Sequence, residues 1–124
     1  MILLDTSALI DSLTGPRNSE VFLRRLIEQG ERTLLPTLVL YEWLRGPRTR
    51  EELMDQEFFF PVEGAAPFEA ADAMTAASLY RTVRRARQRE LDLAIAACAI
   101  RREAQLWTLN VRDFSDIPVL RLVP

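Results

Sequence analysis

Short apolar runs alternate with helical patterns along the whole chain, and that alternation limits the fold more than any other feature. Ile2-Leu3-Leu4, Thr33-Leu34-Leu35, Phe58-Phe59-Phe60-Pro61-Val62, Leu106-Trp107-Thr108-Leu109 and Val119-Leu120-Arg121-Leu122 read as strands or extended segments. Strands separated by helices imply a layered α/β domain with a mainly parallel sheet.

The helical segments carry their own signals. Thr6 or Ser7 is expected to cap a helix over 8–13, with Gly15-Pro16 as its stop. Val21, Phe22, Leu23, Leu26 and Ile27 form the apolar set of an amphipathic helix over 19–29, which Gly30 ends. Thr37 is the expected N-cap of a helix running to Gly46-Pro47. Residues 48–57 read as a polar helix, and Pro67 opens a long helix over roughly 68–86. The helix over 91–104 is apolar nearly all round in its first half, so it is expected to be buried. No internal repeat or linker interrupts the pattern, and 124 residues suit one domain, 1–124.

Acids sit at the informative ends of these elements. Asp5 closes the first strand. Glu42 lies about one helical turn beyond the second. Asp92 opens the buried helix, and Asp113 follows the strand at 106–109. In an open parallel sheet such positions share the carboxyl edge of the strands, where ligands bind. Each acid also has an ordinary explanation: an N-cap, a helix-dipole partner, a surface residue or a turn former. Taken together they are harder to dismiss, because Asp5 and Asp92 adjoin strongly apolar segments where an unpaired carboxylate is costly. Two carboxylates about 5 Å apart at an effective dielectric of about 20 repel by roughly 3 kcal/mol. Several such pairs would consume much of a domain's roughly 5–15 kcal/mol of stability. With no histidine in the chain, such a cluster suits a hard divalent cation, magnesium or manganese.

Composition sets further bounds. The chain is 48% hydrophobic and 27% charged, as an ordinary globular domain is. No apolar run approaches the roughly 20 residues of a membrane span, and the N-terminus lacks a basic lead-in, so a cytoplasmic location is expected. The lone cysteine, Cys98, excludes an internal disulfide and is expected to be a small core residue. Net charge is −2, which argues against a strongly basic nucleic-acid binder, yet all 16 basic residues are arginine. Arg81, Arg84, Arg85, Arg87 and Arg89 crowd together, and Arg45, Arg48 and Arg50 form a second group. Arginine suits bidentate phosphate contacts. The first group is equally readable as a solvated helix end favoured by the macrodipole.

Four segments, taken in order, resemble the motifs of PIN-domain ribonucleases. They are Ile2-Leu3-Leu4-Asp5-Thr6-Ser7, Glu42 within Tyr41-Glu42-Trp43-Leu44-Arg45-Gly46, Asp92-Leu93-Ala94-Ile95-Ala96-Ala97, and Thr108-Leu109-Asn110-Val111-Arg112-Asp113-Phe114. Length and motif order are similar to the VapC-type toxins of toxin–antitoxin pairs. The resemblance implies a three-layer α/β/α domain and a Mg²⁺- or Mn²⁺-dependent endoribonuclease. It implies Asp5, Glu42 and Asp92 as metal ligands and catalytic acids. The family places its last acid at the position of Asn110, at that of Asp113, or at both. Here Asn110 is an amide, so Asp113 is the expected fourth acid, with Asn110 able to orient a metal-bound water. Thr6 or Ser7 is expected to hydrogen-bond a ligand carboxylate or a phosphate, and Arg85 and Arg89 to contact RNA. The resemblance also implies a cognate antitoxin and a homodimer. Leu109 departs from the pattern, standing where the family often has arginine, and so does the charged lead-in Arg87-Gln88-Arg89-Glu90.

Other readings exist for the same residues. An aspartyl phosphotransfer protein would use Asp5 as nucleophile, but such sites generally carry a lysine and this chain has none. A non-catalytic PIN-like module binding RNA or protein draws its support from the amide at Asn110.

Overall fold

The structure, a computed structural model, describes residues 1–15 and 19–124. Its strands are β1 (Ile2–Leu4), β2 (Thr33–Leu34), β3 (Gln105–Trp107) and β4 (Arg121–Leu122). Its α-helices are α1 (Thr6–Thr14), α2 (Ser19–Glu28), α3 (Thr37–Arg45), α4 (Arg50–Phe59), α5 (Ala70–Thr82), α6 (Glu90–Arg101) and α7 (Val111–Phe114). All pairings are parallel, in the order β2-β1-β3-β4. Successive strand residues point to opposite faces, and Ile2, Leu3 and Leu4 are all buried. Both faces of the sheet are therefore covered by helices, as a parallel sheet requires. The chain leaves β1 for β2 on one side and later returns to β3 on the other. That reversal makes the carboxyl ends of β1 and β3 a topological switch point, where open α/β sheets hold their ligands.

The core explains the placement of α6. Leu93, Ile95, Ala96, Ala97, Cys98 and Ala99 are buried along it, so helix α6 is walled in on most sides. Burial also pushes the Cys98 thiol up to about 11, which keeps it protonated and unreactive. Helix α5 packs mainly on α6, and a buried acid joins them. Asp72 on α5 accepts hydrogen bonds from Arg101 Nε and, at 3.2 Å, from Arg102 Nη1. Arg101 also reaches Glu69 at 2.7 Å, and Arg102 donates to the Pro67 carbonyl at 2.8 Å. No helix among the described residues is long and apolar enough to cross a membrane.

The structure departs from the sequence reading in several places. Phe58-Phe59-Phe60-Pro61-Val62 is not a strand. Phe58 and Phe59 end α4, and a short 3-10 turn spans Val62–Gly64. A capping box starts that helix: Thr49 Oγ1 accepts from the Glu52 N–H at 3.1 Å, and Glu52 Oε1 accepts from the Thr49 N–H at 2.8 Å. Helical propagation from this start carries through the aromatic run. The helix expected over 68–86 stops at Thr82, where Val83 turns extended at ψ 159; Arg85, at φ 53, then leads into a 3-10 turn over Ala86–Gln88. The residue flanking α1 is Asp5, with Thr6 and Ser7 already helical, and Pro36 rather than Thr37 flanks α3. Gly30 does end α2, at φ 78. Pro16, expected to help stop α1, lies outside the described residues.

Gly15 stops α1 for a steric reason. A Cβ there would stand 2.0 Å from Asp11 Oδ1 and 2.5 Å from Asp11 Cα. Gly15→Ala is expected to lower stability by about 1–3 kcal/mol, read as a lower midpoint in chemical denaturation. An unchanged midpoint would mean that this turn relaxes freely.

Candidate active site

The register of β1 and β3 builds the site from its centre. Leu4 lies opposite Trp107, and the Asp5 N–H donates to the Trp107 carbonyl at 2.8 Å. The next residue on each strand, Asp5 and Thr108, therefore emerges at the switch point. Asp5 is only 4% exposed. Its Oδ2 accepts from Thr108 Oγ1 at 2.8 Å and from Ser7 Oγ at 2.9 Å. Those hydroxyls are held in turn by backbone donors: the Leu109 N–H reaches Ser7 Oγ at 2.9 Å, and the Asn110 N–H reaches Thr108 Oγ1 at 2.9 Å. A buried carboxylate is thus oriented by hydroxyls that are themselves anchored.

The remaining acids approach from three helices. Glu42 projects from α3, where its Oε1 accepts from Thr6 Oγ1 and its Oε2 lies 3.6 Å from Arg45. Asp92 is the third residue of α6, within the first turn. There the exposed N–H groups of a helix favour negative charge. Asp113 belongs to α7. Asp92 feels the other three: burial, then the charges of Asp5, Asp113 and Glu42, push its carboxyl up to about 6, while Arg89 opposes the rise. Asp5, Glu42 and Asp113 are each within electrostatic reach of Asp92. Among the described residues, no three such side chains are arranged as a finished ligand set for a cation. The donor chemistry nevertheless fits a hard divalent ion, since every acid in the cluster offers carboxylate oxygens.

Asn110 and Asp113 divide the last motif between them. Asn110 precedes α7 and ties to the site through its backbone N–H. Asp113 supplies the charge that Asp92 and Arg89 feel. Thr108 is the residue that the sequence reading missed. Its signal was available, since a hydroxyl one step beyond a strand paired in parallel with β1 must emerge beside Asp5.

The arginine group from 81 to 89 is not one helix end. Arg81 lies in the last turn of α5, Arg85 adopts the left-handed conformation in the following turn, and Arg89 flanks α6. The Arg89 guanidinium is already engaged. Its Nη1 and Nη2 bond Asp116 at 3.0 and 2.6 Å, and they also reach the carbonyls of Arg84 and Asp113. The Nη donors of Arg89, expected from the sequence to contact RNA, are engaged within the protein, and its side chain lines the same hollow as Arg84, Arg85 and Arg112. Arg84, Arg85 and Arg112 line a polar hollow of about 330 Å³ with Asp113 and Asp116. Arg48 of the second group stacks on Trp43 at 4.0 Å and bonds the Trp43 carbonyl at 2.8 Å, a structural position.

Repulsion within the acid cluster has a measurable cost in metal-free protein. A carboxyl whose folded value is raised from 3.8 to about 6 subtracts stability as pH climbs through that window, because the folded state holds its proton more tightly. Asp92→Asn is expected to stabilise the metal-free protein by roughly 1–2 kcal/mol at pH 8 after allowance for solvent screening, and by almost nothing at pH 4. Thermal melts at the two pH values in chelator test this. Equal shifts at both would show that the Asp92 charge is not strained.

A parallel sheet in this order, with Asp5 emerging at the switch point, defines an α/β domain with an acidic residue at its ligand-binding edge. The chain belongs to the PIN-domain family, whose model matches residues 2–120. It is 36% identical over 123 residues to Ribonuclease VapC19 of Mycobacterium tuberculosis, with 98% of both chains covered. The fold is similar to a chain of VapBC2 from Rickettsia felis bound to a DNA fragment from their promoter. That match has a TM-score of 0.74 at 22% identity and covers 99% of this chain and 98% of the other. It is also similar to a chain of DNA-bound VapBC from Salmonella typhimurium, with a TM-score of 0.75 at 20% identity, covering 98% and 96%.

Proposed function

We propose that this chain is a metal-dependent endoribonuclease, the toxin of a toxin–antitoxin pair. What supports the reading is the charge that Asp5, Asp113 and Glu42 exert on Asp92, in a domain whose relative of matching length is a ribonuclease. Asp5, Glu42 and Asp92 would hold one or two Mg²⁺ or Mn²⁺ ions, with Asp113 as the outer acid. Such an ion supplies a water nucleophile at neutral pH and offsets charge on the leaving oxygen. Ser7 and Thr108 fix the Asp5 carboxylate, and Thr6 fixes Glu42. With no histidine in the chain, proton movement falls to carboxylates and water.

RNA is an anion approaching an acidic centre, so cationic surface must offset the acids. Arg84, Arg85 and Arg112 provide it beside Asp113. Arg85→Gln is expected to weaken RNA binding and to flatten its salt dependence by about one contact's worth of counterion release. An unchanged slope in a binding titration would remove Arg85 from the interface. A cognate antitoxin in the cytoplasm would block the site, and a homodimer is part of the same reading. The exposed Val21, Ile27, Met54 and Phe58 on α2 and α4 offer an apolar face for such contacts.

A non-catalytic RNA- or protein-binding module is the second reading, favoured by the amide at Asn110 and by the lack, among the described residues, of three acids grouped to hold a metal ion. The deciding experiment incubates purified protein with total RNA in chelator, then adds Mg²⁺ or Mn²⁺, alongside a Mn²⁺ binding titration. Metal-restored cleavage supports the nuclease. Absence of both cleavage and Mn²⁺ binding supports the module.

A further inference from the structure

We infer that Arg89 and Asp116 form a positioning pair that sets the spacing between Asp92 and Asp113. This rests on the nuclease reading for its consequence, but its evidence is geometric. Asp92 and Asp113 lie on different helices, α6 and α7, joined through the strand β3. Arg89 flanks α6 immediately before the turn that carries Asp92, and its carbonyl accepts from the Leu93 N–H at 2.9 Å. Its guanidinium spans to the other helix. Nη2 donates to the Asp113 carbonyl at 2.8 Å and to Asp116 Oδ1 at 2.6 Å, while Nη1 donates to Asp116 Oδ2 at 3.0 Å and to the Arg84 carbonyl at 2.9 Å.

One planar group therefore ties the turn after α5, the start of α6 and the end of α7. The fork geometry matters: two carboxylate oxygens and two carbonyls are met by a rigid donor set that a lysine cannot reproduce. Arg89 is 15% exposed while Asp116 is 50% exposed, so the arginine is held from the solvent side by a partner that has no other bond to the site. The hydrogen bonds to Asp116, then the charges of Asp116, Asp92 and Asp113, favour the protonated guanidinium. Arg89 is thus a fixed cation whose Nη donors are taken up by Asp116 and two backbone carbonyls.

This assignment competes with direct phosphate contact by Arg89, and Asp116→Asn separates the two. If Asp116 orients Arg89, its loss loosens the connection between the helices. If Asp116 merely sequesters an RNA-binding arginine, its loss frees that arginine. The experiment compares wild type, Asp116→Asn, Arg89→Gln, Arg89→Lys and the Asp116→Asn/Arg89→Gln double variant. Amide exchange in metal-free, RNA-free protein is read over 90–95 and 110–117, and kcat and KM for RNA cleavage are read at two salt concentrations.

Each single variant is expected to speed exchange in both segments by about tenfold. Each should also lower kcat by about 10- to 100-fold with KM nearly unchanged, since an ångström-scale misplacement of reacting groups costs that much. Arg89→Lys should not rescue, and the double variant should be no worse than the poorer single. Unchanged exchange in Asp116→Asn overturns the inference. So does tighter RNA binding with a steeper salt dependence in that variant. Should wild type cleave no RNA with either metal, the nuclease reading fails, and the exchange measurements alone still decide the pairing.

Discussion

Asp5→Asn is expected to lower metal-dependent RNA cleavage by at least about 10³-fold while leaving the fold intact. The substitution removes one charge and keeps the planar shape. Asp5 is nearly fully buried, and its Oδ2 accepts from both Ser7 and Thr108. An amide oxygen at that position still accepts those bonds, so β1 and β3 remain joined. What disappears is the anion that a divalent ion requires. Relief of repulsion with Asp92 also acts in the stabilising direction, since the Asp5 charge is among those that push the Asp92 carboxyl upward. Cleavage rates at saturating Mg²⁺ and thermal melts in chelator check both halves. Cleavage at the wild-type rate would remove Asp5 from the essential set, and an unfolded variant would show that the carboxylate is structural.

Asp72→Ala is expected to cost about 3 kcal/mol or more, the loss typical of removing one partner from a buried charge cluster. Asp72 is fully buried between α5 and α6, and its removal takes from Arg101 and Arg102 their buried anion, leaving them only the exposed Glu69. Against a total of about 5–15 kcal/mol for a domain, that is a large fraction. Asp72→Asn should cost less, because hydrogen bonding survives. The dependence on pH has a definite sign. Burial raises the Asp72 carboxyl, but the hydrogen bond from Arg101, the Glu69 N–H and the charges of Arg102 and Arg101 outweigh it and leave the value below 3.8. The stabilisation is thus full above that value and lost as pH falls through the lower folded value. Denaturation midpoints for wild type and Asp72→Ala should differ most near neutrality and converge in strong acid. A gap that persists unchanged in acid would point to packing rather than charge.

The sheet and the acids were legible for a common reason. Strand runs closed by Asp5 and followed by a helical pattern carry local information, and parallel α/β topology then gathers their ends. Partners distant in sequence were not legible. Nothing near Arg89 names Asp116, and Arg89 therefore read as a free cation rather than a tie. Thr108 stood in the open, yet its role needed the Leu4–Trp107 register. The aromatic run at 58–60 misled because bulky side chains favour strands locally, whereas the Thr49–Glu52 capping box upstream had already committed the backbone to a helix. The early end of α5 depended on Val83 turning extended, and the turn after it on Arg85 accepting a left-handed conformation that its residue type does not advertise.

Strand β1 is formed within the first residues of the chain, yet its neighbour β3 lies about a hundred residues later. Closing so distant a pair is slow, because chain entropy must be lost before the contact rewards it. Asp5 shares in that delay. Its carboxylate lacks Thr108 until the C-terminal third has folded back onto the first strand, whereas Asp92 and Asp113 come from neighbouring elements of that third. A fragment that stops short of β3 therefore lacks the Thr108 hydroxyl that orients the Asp5 carboxylate.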